Sequence, residues 1–131
     1  MSFPASIDLL NSGSGGGGVP AGQSWSVARS GTIGAGYKYC LMFAIAGSPG
    51  HDSSHYGSAG SSCSCDGTQI INTVYGVSAF NYNGGHARIG LFYTGGVNRS
   101  YSITATINGG SYHPGYPEYY ATSAVYVYGI K

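Results

Sequence analysis

The stretch "HDSSHYGSAGSSCSCDG", His51 to Gly67, gathers two histidines, two cysteines and two aspartates. These residue types ligate zinc or carry thiol chemistry. Their spacing fits neither role well. His51-x3-His55 would align both rings on one face of a helix, but a run of Ser and Gly does not favour helix. Cys63-x-Cys65 is closer than the roughly two to four intervening residues of paired zinc cysteines. A disulfide between these two would be strained. A pliable backbone would still let His51, His55, Cys63 and Cys65 meet as a tetrahedral set. The alternative is a plain exposed loop. Ordering such a backbone costs much entropy, so the stretch is expected to be metal-free.

A second cluster is "SYHPGYPEYY", Ser111 to Tyr120. Tyr112, His113, Tyr116, Tyr119 and Tyr120 sit between prolines that stiffen the loop. Stiff Tyr-rich loops bind proteins by burial or sugars by stacking. The other reading folds the rings back to cap the core. Catalysis finds no support. No strand, Gly-x-Ser-x-Gly and helix series marks a nucleophile elbow. Asp8, Asp52, Asp66 and Glu118 are not paired as glycosidic chemistry requires. "GSGGGG" lacks the Lys-Ser/Thr ending of a phosphate loop. The protein is expected to be no enzyme and to need no cofactor.

These clusters must be held by the rest of the chain, which has 131 residues, the size of one domain. Hydrophobic residues make up 42% and aromatic residues 14%, enough for a folded core. Charged residues make up only 7%, against roughly 25% in an ordinary soluble domain. The net charge is +1, and the five basic residues are scattered, so a nucleic-acid partner is not expected. No apolar run is long enough to span a membrane as a helix. "MSFPASIDLL" lacks the basic and apolar regions of a signal peptide. Three cysteines, an odd number, fit free thiols made in a reducing cytosol. A surface built from Ser, Thr, Asn, Gly and Tyr suits repeated protein contact.

With 24 glycines and 13 tyrosines, and no helical periodicity, the fold class is all-β. "KYCLMFAIAG" is the strongest apolar run. It lacks polar alternation over Tyr39 to Ala46 and predicts a central strand buried on both faces, with Cys40 a packed, inert thiol. "SYSITATING" alternates cleanly: Tyr101, Ile103, Ala105 and Ile107 on one face, Ser102, Thr104, Thr106 and Asn108 on the other. About seven strands with Gly-rich turns predict an antiparallel β-sandwich, jelly-roll or Ig-like. "NSGSGGGGVPAG" reads as a hinge. Residues 1–18 then form an N-terminal arm, with Phe3, Ile7, Leu9 and Leu10 docked on a neighbour, and residues 19–131 the sandwich. The equal alternative is a first edge strand followed by a long loop.

The elements "YCLMFAIAG", "TQIINTVYGVSAFN", "GGHARIGLFYTGGVNRSYSITATI" and "ATSAVYVYGI" together resemble a β-sandwich module of bacteriophage minor structural proteins: capsid decoration, minor tail and fibre proteins. Val74-Tyr75-Gly76 resembles its "V-x-Y-G-G" turn. Arg88, Leu91 and Tyr93 resemble its "R-x-x-L-x-Y", Thr104 to Ile107 its "T-V-T-V-T", and Ala124 to Gly129 its closing "A-A-V-x-Y-x-G". The resemblance covers Tyr39 to Ile130 and carries no catalytic residue. "TGGVNRS" replaces the usual proline-containing turn, and the His/Cys stretch is not part of the pattern. It implies a virion component, made in the host cytoplasm, that contacts a major capsid or tail protein and copies of itself. The length favours a small accessory protein over a piece of a long fibre. The rival reading is a receptor- or carbohydrate-binding module of a phage tail or bacterial surface protein, with a host surface glycan on the Tyr-rich loop. A third is a metal-stabilised bacterial surface domain built around His51 to Cys65.

Overall fold

The computed structural model describes residues 6–20, 22–52, 55–56, 58–77, 83–108 and 118–131, with the side chains of 48–52, 55–56, 77, 83–85 and 118–121 set aside. Among the described residues nine strands follow in order: β1 Ile7–Pro20, β2 Ser24–Ile33, β3 Tyr39–Asp52, β4 His55–Tyr56, β5 Ser58–Cys65, β6 Thr68–Val77, β7 Asn83–Tyr93, β8 Arg99–Asn108 and β9 Glu118–Ile130. They form two antiparallel sheets. One has the order β1-β9-β3-β7-β6, with β4 added to the end of β3; the other has the order β2-β8-β5. The all-β sandwich expected from the sequence is therefore present.

The pairing is nested: β1 with β9, β2 with β8, β3 with β7. This is the pattern of a long hairpin wound into a jelly roll. The winding departs from that plan at one place. β6 pairs with β7 rather than with β5, so the second sheet has three strands and the first is wider than its cover.

The core lies between the sheets and follows strict alternation. Tyr101, Ile103, Ala105 and Ile107 of β8 are buried, as are Cys40, Met42, Ala44 and Ala46 of β3 and Val125 and Val127 of β9. Val19, Val27, Ile33 and Phe92 complete it. At one end, the Tyr37 hydroxyl donates to Asp8 Oδ2 at 2.7 Å, and Lys131 Nζ lies 3.8 Å from the same carboxylate, tying the start of β1 to the end of β9.

The first segment differs from the hinge reading. Residues 7–20, glycine run included, are a strand paired with β9 along its length, with one irregularity between Leu9 and Asn11. The edge-strand alternative describes its start, but the long loop expected after it is strand as far as Pro20. The glycines serve packing. A β-carbon on Gly15 would sit 2.8 Å from Trp25 Cζ3, and one on Gly13 2.6 Å from Arg29 Nη2. Bare positions on β1 thus let the side chains of β2 close that edge of the sandwich. Arg29 completes the seam by donating from Nε to the Ser12 carbonyl at 3.1 Å.

The stretch Ser58 to Cys65 also differs from the exposed-loop reading: it is β5, in register with β8 from Ser58–Asn108 to Cys65–Tyr101. Its Ser, Gly and Ala side chains carry little strand signal, but β8 supplies a ladder for its backbone.

The glycine seam has a measurable consequence. Gly15→Val forces a side chain into the Trp25 ring and is expected to lower unfolding stability by about 1–3 kcal/mol. Gly60→Ala, where an added β-carbon meets nothing within 4 Å, is expected to change it by less than about 0.5 kcal/mol. Urea unfolding of both variants checks the contrast.

Candidate functional site

Strand pleat sends alternate residues to opposite faces, so each sheet has one outer face, and the two differ sharply. On the three-stranded sheet the outward residues are Ser24, Ser26, Ala28, Ser30 and Thr32 of β2, Ser100 to Asn108 of β8 in alternation, and Ser58, Gly60, Ser62 and Ser64 of β5. Small hydroxylated side chains of this kind suit a solvated surface.

The outer face of the five-stranded sheet has the composition of an interior. Register aligns its residues in rows across β1, β9, β3, β7 and β6. One row reads Ile7, Ile130, Tyr39, Tyr93, Thr68; the next Leu9, Tyr128, Leu41, Leu91, Ile71. The third reads Ser12, Tyr126, Phe43, Ile89, Thr73, and the fourth Ser14, Ala124, Ile45, Ala87, Tyr75. No row contains a charged residue. Ile7 is 62% exposed, Tyr75 58% and Ile45, on the central strand, 46%. Edge-to-face ring pairs stiffen the surface, Tyr39 with Tyr93 at 5.4 Å and Phe43 with Tyr128 at 6.0 Å. With strands about 4.8 Å apart and rows about 6.8 Å apart, the four rows cover roughly 600 Å² in plan. Contiguous exposed apolar patches above a few hundred Å² mark interaction sites.

This face corrects one expectation and explains it. The apolar run Tyr39 to Ala46 was expected to be buried on both faces. Within one chain, Cys40, Met42, Ala44 and Ala46 are buried, while Ile45 is exposed and Tyr39, Leu41 and Phe43 are half-buried. The missing alternation in the sequence was the signal of this surface; only the register shows that Leu91, Ile89, Tyr126 and Tyr128 extend it.

The residues singled out from the sequence divide as follows. Ile7 and Leu9 lie on the apolar face, and Leu10 is exposed at the irregularity of β1. Phe3, Tyr112, His113 and Tyr116 lie outside the described residues. Tyr119 and Tyr120 belong to the start of β9, paired with Val19 and Gly18. His51 lies in β3 and His55 in β4, the two strands joined through the Asp52–His55 pair. Among the described residues, no group of three His, Cys, Asp or Glu is placed to hold a metal ion.

Cys63 and Cys65 point inward and meet Cys40, which the sequence had left apart from them. Cys65 Sγ donates to the Asp66 carbonyl at 3.2 Å, and the Cys40 and Cys65 thiols are near enough across the two sheets to shift each other's acidity. The neighbouring Cys65 thiol and burial both push the Cys40 thiol up, and Cys40 in turn makes Cys65 the more acidic of the pair. Cys63, seated over Gly90, is pushed up to about 11 by burial, with Arg88 pulling the other way.

Beside the thiols, a polar network closes the flank where the second sheet stops short. Arg88 Nε donates to the Ser61 carbonyl at 3.1 Å and Nη1 to Asn72 Oδ1 at 3.0 Å; Asn72 Nδ2 donates to the Cys63 carbonyl at 3.2 Å. Ser61 Oγ and His86 Nδ1 are 2.8 Å apart. The network braces β5 against β6 and β7.

No protein-family model, no curated protein and no solved structure matches the chain.

The thiol acidities order their reactivity. At pH 8 the depressed, half-buried Cys65 is expected to be alkylated by iodoacetamide first. Cys63 stays protonated below about 11, and Cys40 is both protonated and fully buried. Peptide mapping should find one adduct, at Cys65, in the native protein and three after denaturation.

Proposed function

We propose that the protein is a non-enzymatic structural component of a bacteriophage virion, which assembles as a homo-oligomer through the outer face of its five-stranded sheet and decorates the capsid or tail. The observation that carries this reading is the uncharged apolar face. Its plan area of roughly 600 Å², before side-chain relief is added, approaches the roughly 800 Å² per partner of a standard stable interface. A face with no charge offers nothing to select a charged partner, but it is complementary to itself. Sheets packing face to face through alternating apolar side chains are a common solution, and closed symmetry is the rule for identical chains. The Ser/Thr face of the small sheet then remains in water, and the low overall charge suits crowded contact with a capsid or tail lattice. The virion assignment draws on the resemblance of the strand motifs from Tyr39 to Ile130 to phage structural modules.

The full chain at micromolar concentration is expected to sediment as an oligomer whose mass changes little between low and high salt, since apolar burial rather than ion pairing holds it. Ile45→Glu places a charge at the centre of the face and is expected to give monomers with unchanged strand content and near-native stability. A monomeric wild type, or an Ile45→Glu protein of unchanged mass, would remove the basis for assembly through this face. Locating the chain on purified particles by electron microscopy tests the virion assignment; binding to host cells or glycans without particle association would favour the receptor-binding reading.

A further inference from the structure

We propose that Cys40 and Cys65 are the two halves of an inter-sheet disulfide, formed by exchange with a small-molecule disulfide, that locks the sandwich shut. The placement rests on register and packing. Cys40 belongs to the central strand of the large sheet and pairs with Phe92 of β7; the next inward row pairs Met42 with Gly90. Cys63 of the small sheet sits over Gly90, where an added β-carbon would lie 2.9 Å from Cys63 Cβ. Successive inward residues of β5 are one row apart. Arg88, in the row of Ala44, donates to the Ser61 carbonyl on the other side of Cys63, so Cys65 overlies the row of Cys40 and Phe92 and packs against the core that holds Cys40. A disulfide requires the two sulfurs to close to about 2.05 Å. Cys63 is the poorer partner for either: it is held over glycine on the same strand face as Cys65, with side chains running parallel.

Exposure sets the order of events. Cys65 is half-buried and Cys40 fully buried. The Cys65 thiolate attacks one sulfur of a disulfide of the glutathione class, RSSR, and releases RS⁻, leaving Cys65–SR. Cys40 then loses its proton and attacks the Cys65 sulfur, expelling the second RS⁻. Two thiols have lost two protons and two electrons, and RSSR has become two RSH. The strands joined, β3 and β5, lie in different sheets and share no ladder hydrogen bond, so the bond adds a covalent link where only packing connects them. Both thiols face inward, so the clasp is independent of what covers the outer face.

The test uses the full chain incubated with oxidised glutathione at pH 8. Intact mass is expected to fall by two hydrogens, peptide mapping to find Cys40 joined to Cys65, and the melting temperature to rise by about 10 °C until dithiothreitol is added. Cys63→Ser should behave as wild type. Cys40→Ser should stop at a glutathione adduct on Cys65. Three free thiols after prolonged oxidation, a persistent glutathione adduct on the wild type, or a cross-link that disappears with Cys63→Ser would each overturn the proposal.

Discussion

The structure depends on a sheet that is apolar on both faces. β3 carries Cys40, Met42, Ala44 and Ala46 toward the core and Tyr39, Leu41, Phe43 and Ile45 away from it. Burying one of these faces requires a second sheet, and β2-β8-β5 provides it. Burying the other requires matter from outside the chain. Fully burying a side chain of this size is worth roughly 1.5–3 kcal/mol, and the large residues of the four rows are buried only in part. The two outer faces differ: Ser and Thr lie on the outside of the small sheet, and Leu, Ile, Phe and Tyr on the outside of the large one.

The remaining features follow from fitting a narrow cover over a wide sheet. On the β1 side, glycines in the edge strand make room for Trp25 and Arg29, so that three strands can close over more than three. On the β6 side the cover stops at β5, and a polar network lines the inner flank beside the exposed Val74. Arg88, Asn72, Ser61 and His86 meet there because backbone carbonyls at the free edge of β5 need donors. The thiols occupy the interior between these two flanks, where Gly90 leaves space for Cys63 and brings Cys65 against Cys40. Burial, the guanidinium groups of Arg88 and Arg99 and the mutual influence of Cys40 and Cys65 separate the acidities of three chemically identical groups.

Much of this was legible along the chain. The clean alternation of Tyr101 to Asn108 identified β8 as a strand wet on one side, and the unbroken run Tyr39 to Ala46 identified the central strand, although only one of its faces is buried. Composition alone pointed to an all-β fold. Two elements were not legible, for the same reason. The glycine run in β1 and the Ser/Gly/Cys run in β5 have little intrinsic strand preference, and both are strands because a long partner, β9 or β8, supplies the ladder.

Sequence by itself thus determined the class of fold and the amphipathic or doubly apolar character of each strong strand, because pleat alternation is a local property with a period of two residues. Tertiary structure decided which strands are neighbours, and with that everything made by more than one strand. The apolar face needs Ile7 beside Ile130 and Leu41 between Tyr128 and Leu91. The thiol pair needs β5 to cross over β3. Such juxtapositions depend on pairing between residues far apart in the chain, whose register is set by the collective burial of the whole sheet and leaves no short-range mark.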